Sequence, residues 1–166
     1  MDTSMELPVS PMRIAMNIGA LTAVLMLGTA ALGWQIMGWI VFAGGVYYGM
    51  KCFRRETGGY ISYGGAVNAG FQTAFFASLI MAFVGYVTTT IEPSSVNLMF
   101  DVAEQRLKTS GFQAGLVDVA MNKWREMFSP LLFAVIIIFT YSAIGGVASI
   151  ISASFVRKAQ PPDAII

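Results

Sequence analysis

Histidine is missing from this chain, and there is a single cysteine, Cys52. The first absence removes the commonest metal ligand and the commonest general base together. The second excludes an internal disulfide, so no oxidative framework holds the fold. Cys52 lies beside Lys51 and Arg54. That basic setting suits a thiolate or an acylated cysteine, although a helix-end cysteine is ordinarily incidental. Charge is scarce as well: 11% of the residues are Asp, Glu, Lys or Arg, against about a quarter in a soluble domain. A formal net charge of +1 excludes a general polyanion-binding surface, so no nucleic-acid partner is expected.

What fills the space is apolar. The hydrophobic fraction is 56% and the mean hydropathy +0.67. Residues 14–50, 57–91 and 127–156 carry no formal charge at all. A bilayer core takes about 20 apolar residues per helix, so the first run holds two spans and each of the others one. The fold class is therefore all-α: a polytopic membrane protein with four transmembrane helices in one domain, residues 12–158. The expected spans are 12–31, 35–53, 68–91 and 129–155. Asp2 and Glu6 replace the basic cluster of a signal peptide, and the apolar run after Arg13 exceeds a signal core of about 7–15 residues. It reads as a retained first span. Pro8 and Pro11 make residues 1–11 an extended lead, and Pro161 and Pro162 fall in a loose tail, 159–166.

The turns are also readable. Gly33, Trp34 and Gln35 mark the first, with Trp34 and Trp39 suited to the headgroup zone. Glu92, Pro93, Ser94 and Ser95 stop the third helix, either serine being able to cap the next. Residues 96–110 then form an amphipathic helix on Val96, Phe100, Ala103 and Leu107, with Glu104 and Lys108 as an i,i+4 pair and Gly111 as cap. A second helix, 113–128, follows on Leu116, Val119, Ala120, Trp124 and Met127. Ser129 and Pro130 open the fourth span as N-cap and first-turn proline.

This amphipathic hairpin is far longer than the 2–8 residues that usually join bundle helices. Phe100, Leu107, Leu116 and Trp124 are its candidate partner or interface contacts. Lys123 and Arg125 beside Trp124 suit a lipid surface, while the mixed charges suit a protein partner. The hairpin is expected to lie roughly along the membrane surface.

Basic residues set the expected orientation. Arg13, Lys51, Arg54, Arg55, Arg157 and Lys158 all fall at span ends on one side, which the positive-inside rule makes cytoplasmic. Both termini are then inside and residues 92–128 outside. Lys51, Arg54, Arg55, Arg157 and Lys158 read as a topogenic anchor, with Gly58 and Gly59 turning the chain and Tyr60 and Tyr63 at the interface.

Candidate chemistry is sparse. Between their ends the spans hold no acid or base, so the usual mark of an ion or proton pathway is missing. Asn68 and Gln72 share a face of the third span and are candidate intramembrane polar contacts. The glycine pairs in "AGGV" and "IGGV" suit either a transport site or close packing. Ala66, Gly70, Ala74, Ser78 and Ala82 repeat every four residues as a helix-packing ridge, with Phe75, Phe76, Leu79 and Phe83 opposite. Asp101, Glu104, Asp118 and Glu126 gather no nucleophile, base or metal set around them. No catalytic, cofactor-binding or metal residues are expected, and the chain does not read as an enzyme.

The stretches "KCFRRETGGYISYGGAVNAG", "IEP" and "EQRLKTSGF", and a fourth span opening with "SP" and containing "GG", carry a family resemblance. Over about residues 12–158 the chain resembles small four-helix inner-membrane proteins of Gram-negative bacteria, catalogued as domain of unknown function 4199. Glu92 stands where that family usually has aspartate. The resemblance implies a bacterial inner-membrane location and a membrane-protein partner such as a polyprenyl-phosphate glycosyltransferase; a second copy of the chain is the other expected partner. The role read from all this is a non-catalytic accessory or scaffold subunit, linked to envelope glycan or lipid metabolism. A small transporter or lipid-translocating protein is the alternative.

Overall fold

The computed structural model describes residues 11–158, so the expected extended lead and loose tail lie outside the described residues except for Pro11. Six helices follow one another: α1 Pro11–Ala31, α2 Gln35–Glu56, α3 Tyr63–Ile91, α4 Pro93–Thr109, α5 Ala114–Met127 and α6 Pro130–Val156. No strand occurs among the described residues; Ile61 and Lys158 form an isolated antiparallel bridge. Stretches within α1, α2, α3 and α6 are long and apolar enough to cross a membrane: Met12–Ala31, Ile36–Glu56, Tyr63–Ile91 and Pro130–Val156. At 1.5 Å per residue, the 29 residues of α3 reach about 44 Å and the 27 of α6 about 40 Å. Both exceed a hydrocarbon core of about 30 Å, so they tilt or extend beyond it.

Glycine makes the stops. Gly33 (φ 74°), Gly58 (φ 73°) and Gly111 (φ 89°) each follow a helix end in the left-handed region. After α1, Gly33 N–H donates to Ala30 O at 2.9 Å and Trp34 N–H to Thr29 O at 2.8 Å. After α4, Gly111 N–H donates to Lys108 O at 3.3 Å and Phe112 N–H to Leu107 O at 3.4 Å. These are Schellman closures, which satisfy the last carbonyls of each helix. The starts differ more from expectation. Pro93, not a serine, opens α4, and Glu92 is its N-cap residue without a side-chain cap bond. α3 starts at Tyr63 rather than at 68, because the Ser62 hydroxyl accepts from Gly65 N–H at 3.1 Å and caps it. α2 runs on to Glu56 rather than stopping at 53. Ser129 caps α6 as its sequence suggests, accepting from Leu132 N–H at 3.1 Å.

By its internal contacts the chain divides into two compact units. Among the described residues, unit 1 is 11–81 with 138–158, and unit 2 is Ala82–Ile137. The core of unit 1 gathers Ala23 and Met26 of α1, Phe42, Val46 and Met50 of α2, Ala66, Ala74 and Ala77 of α3, and Ala153 and Val156 of α6. The core of unit 2 is smaller: Val96 and Phe100 of α4 against Val117 and Met121 of α5, with Ala103 and Phe128 at its edge.

Large apolar side chains cover the outside of the four long helices. Leu25, Ile40, Phe83 and Phe139 are each at least half exposed, and only 11% of the most apolar stretch of α6 is buried. A water-soluble monomer rarely shows such a surface; facing hydrocarbon, it costs nothing. The chain is a membrane protein.

Candidate functional site

The α3 ridge is assembled from the smallest side chains, and all of it is buried: Ala66, Gly70, Ala74, Ser78 and Ala82. Its partner in unit 1 is a matching row of small residues on α6. Gly70 faces Ser149, Ala74 faces Gly145, and the Ser78 and Ser142 hydroxyls lie 3.3 Å apart. Rising numbers on α3 meet falling numbers on α6, so the helices run antiparallel in one register. A methyl group built on Gly145 would collide with Ala74 and stand 3.2 Å from the Phe42 ring. The α2 side is equally tight: Gly49 abuts Thr73, and Gly45 abuts Thr22 of α1. Gly19 of α1 lies so close to α3 that a methyl there would reach 2.8 Å from Thr73 O and from Phe76 Cβ. Phe76 is thus half-buried against α1, whereas Phe75, Leu79 and Phe83 stay exposed.

Both glycine pairs resolve into one packed member and one free one. Gly45 and Gly145 touch neighbouring helices; Gly44 has open space, and Gly146 has only ordinary room beside Phe71. Among the described residues five hydroxyl residues are buried, and each bonds back to its own helix. Thr22 donates to Ile18 O at 2.7 Å, Thr73 to Ala69 O at 2.9 Å, Ser78 to Phe75 O at 2.7 Å, Thr89 to Gly85 O at 2.8 Å and Ser149 to Gly145 O at 2.6 Å. Such back-bonding satisfies a polar atom without water. Among the described residues, no buried side-chain nitrogen or oxygen lacks a partner.

Asn68 and Gln72 do not reach across to another helix. Gln72 Nε2 donates to Asn68 Oδ1 at 3.5 Å within α3; Asn68 is exposed and Gln72 half-buried. At the first-turn end of unit 1 the sequence missed an aromatic cluster. Trp39 stacks on Tyr141 with centroids 5.4 Å apart, and Phe42 meets Tyr141 edge-on at 5.5 Å. Trp39 and Tyr141, with Met26, Thr29 and Met81, line a half-open hollow of about 270 Å³. The signal was the one tyrosine of α6, flanked by Phe139, Thr140 and Ser142.

The basic residues divide into two kinds. Lys51, Arg55, Arg157 and Lys158 are exposed, and so is Arg13. The α1–α2 register, in which Gly38 meets Thr29 and Gly45 meets Thr22, places Arg13 level with Arg54. Arg54 itself is half-buried and donates from Nη1 to Val156 O at 3.0 Å. A cation thus sits on the carbonyl end of α6, where the helix dipole favours it. Around it, Tyr63 donates to Ile150 O at 3.1 Å, Ile61 and Lys158 exchange both backbone bonds, and Lys158 Nζ lies 5.5 Å above the Tyr60 ring. The α2–α3 turn is thereby sewn to the end of α6.

In unit 2 charge does the joining. Arg125 donates to Asp101 at 2.6 Å and to Glu104 at 3.2 Å. Lys108 pairs with Glu104 and with Asp118, both at 2.7 Å. Hydrogen bonds to Asp118 first, and to Glu104 second, hold the Lys108 ammonium above its ordinary pKa. The four apolar candidates part company. Phe100 is 7% exposed, enclosed by Phe128 and the Arg125 guanidinium, and so is not open to a partner. Leu107, Leu116 and Trp124 remain exposed. α5 turns Val117 and Met121 inward, rather than Leu116, Val119 and Trp124.

No group of three or more His, Cys, Asp or Glu side chains close enough to hold a metal occurs among the described residues, and Cys52 is a half-buried free thiol. No curated protein and no solved structure matches the chain. A family model described as a protein of unknown function, DUF4199, matches residues 14–158, through all four long apolar helices. The chain belongs to the DUF4199 family.

Proposed function

We propose that this protein is a non-catalytic accessory or scaffold subunit of a bacterial inner-membrane assembly. Its termini are cytoplasmic and residues 92–128 periplasmic. The observation that supports this reading is the close-packed seam between α3 and α6 in unit 1. Small residues on α3 interlock with small residues on α6, and the buried hydroxyls are turned onto their own helices. A transporter needs a polar, hydrated path with groups that bind and release cargo, and a close-packed seam offers none. The basic anchor residues support the orientation. The partner is a membrane protein, with an enzyme of envelope glycan or lipid metabolism as the candidate class, or a second copy of the chain. A lipid-translocating role is the second reading, and the half-open hollow at Trp39 and Tyr141 favours it.

Purification from native membranes in mild detergent, followed by reconstitution of the pure protein, separates the two. The scaffold reading expects a stoichiometric protein partner and vesicles that move neither lipid analogues nor ions above the protein-free rate. Translocation by the pure protein, with no partner in the native preparation, overturns it.

A further inference from the structure

The charges of the α4–α5 hairpin point to what its uncovered face touches. At 100° per residue, Val96 and Phe100 define the direction in which α4 faces α5, and Val117 and Met121 the direction in which α5 faces α4. On α4, the row Leu98, Val102 and Arg106 centres about 140° away from that contact; on α5, the row Leu116, Val119, Lys123 and Met127 does the same. In both helices the rotation from contact to apolar row has the same sense. Because the helices are antiparallel, equal rotations bring both rows to one side of the hairpin. The bridges Arg125–Asp101, Arg125–Glu104 and Lys108–Asp118 join the helices along the other side.

One side therefore carries Asp101, Glu104 and Asp118, already matched by Arg125 and Lys108, with the exposed Glu126 at its outer edge. The other is a broad apolar strip: Leu98 is 65% exposed, Leu116 and Val119 68% each, and Met127 64%. Its formal charges are Arg106 and Lys123, and among the described residues neither enters an ion pair. The mixed charge of the segment, which in sequence suits a protein partner, is largely spent inside the hairpin.

We infer that this face lies in the headgroup layer of an anionic bilayer, with the apolar row at acyl-chain level and Arg106 and Lys123 reaching lipid phosphates. Long basic side chains on an apolar strip are suited to that boundary, burying their stems while their heads stay among phosphates. The inference stands apart from the scaffold reading: it concerns the lipid contact of the hairpin and not the protein that the bundle serves.

Site-directed spin labelling of the full chain tests it, in a Cys52→Ser background, one copy per nanodisc. Labels go at Val119→Cys on the apolar row and at Asn122→Cys on the paired-charge side. In phosphatidylglycerol discs, the Val119 label should be at least about three-fold less accessible to an aqueous nickel chelate than the Asn122 label. Adding Arg106→Gln and Lys123→Gln should shift the balance toward the released hairpin by about five-fold per charge lost. The same pair should change nothing in phosphatidylcholine discs. Circular dichroism and an unchanged Asn122 signal verify the fold of each variant. Equal water access at both labels in phosphatidylglycerol discs overturns the inference. So does a double variant indistinguishable from its parent there, which would leave the cations without a role.

Discussion

Gly145→Ala adds one methyl group to the seam between α3 and α6, and the structure says what that methyl meets. Ala74 Cβ is fixed to the α3 backbone and cannot rotate away, while the Phe42 ring closes the other side at 3.2 Å. Carbon atoms rest at about 3.5–4.0 Å, so the helices must separate by roughly 1 Å or more at this level. That loosens the neighbouring contacts at Gly70 with Ser149 and Ser78 with Ser142. Overpacking of this kind costs about 1–3 kcal/mol, or roughly five- to 150-fold in the unfolding equilibrium. Gly146→Ala is the internal control. Its methyl meets only Phe71, at 3.7 Å, and alanine's helix propensity favours it by up to about 1 kcal/mol. Equilibrium unfolding of both variants in mixed dodecylphosphocholine–SDS micelles, followed by circular dichroism, measures the difference. Two variants of equal stability would refute the seam as the tight contact of unit 1.

Gly45→Ala, against Thr22, should destabilise as Gly145→Ala does and Gly44→Ala should not, in the same unfolding assay. Arg54→Gln loses the charged donor to Val156 O and should cost about 1–2 kcal/mol, while exposed Arg55→Gln should be silent. Lys108 has a folded pKa above 10.5, so its bridging stabilises fully below 10.5 and is lost as pH rises through the folded value. Hydrogen exchange of α4 and α5 amides should therefore show alkaline loosening in the parent that Lys108→Met flattens.

Much of the bundle was legible because its signals are local. A carbonyl ladder needs left-handed closure at helix ends, and Gly33, Gly58 and Gly111 supply it in the sequence and in the structure. The α3 row is visible as a period of four, and its burial places it against α6 and α2. Arg54 could not be read the same way. Its acceptor, Val156, lies 102 residues along the chain, and nothing local distinguishes it from Arg55. The inward side of α5 was hidden for another reason. Its apolar residues spread over more than half the helix, and periodicity alone does not say which part meets α4. The ion pairs to Asp118 and Arg125 settle that rotation, and they are tertiary. The start of α3 was obscured by Gly64 and Gly65, which suggest a loop until the Ser62 cap is seen.

Four crossings with both described ends on the cytoplasmic side are the claim on which the rest depends. It is tested by single cysteines in a Cys52→Ser background, at Trp34, Thr57, Ser110 and Arg157, one in each turn or end. A membrane-impermeant maleimide added to intact spheroplasts should label the Trp34→Cys and Ser110→Cys proteins. It should reach Thr57→Cys and Arg157→Cys only after lysis. Labelling of Thr57→Cys or Arg157→Cys in intact spheroplasts, or protection of Trp34→Cys there, would contradict the account.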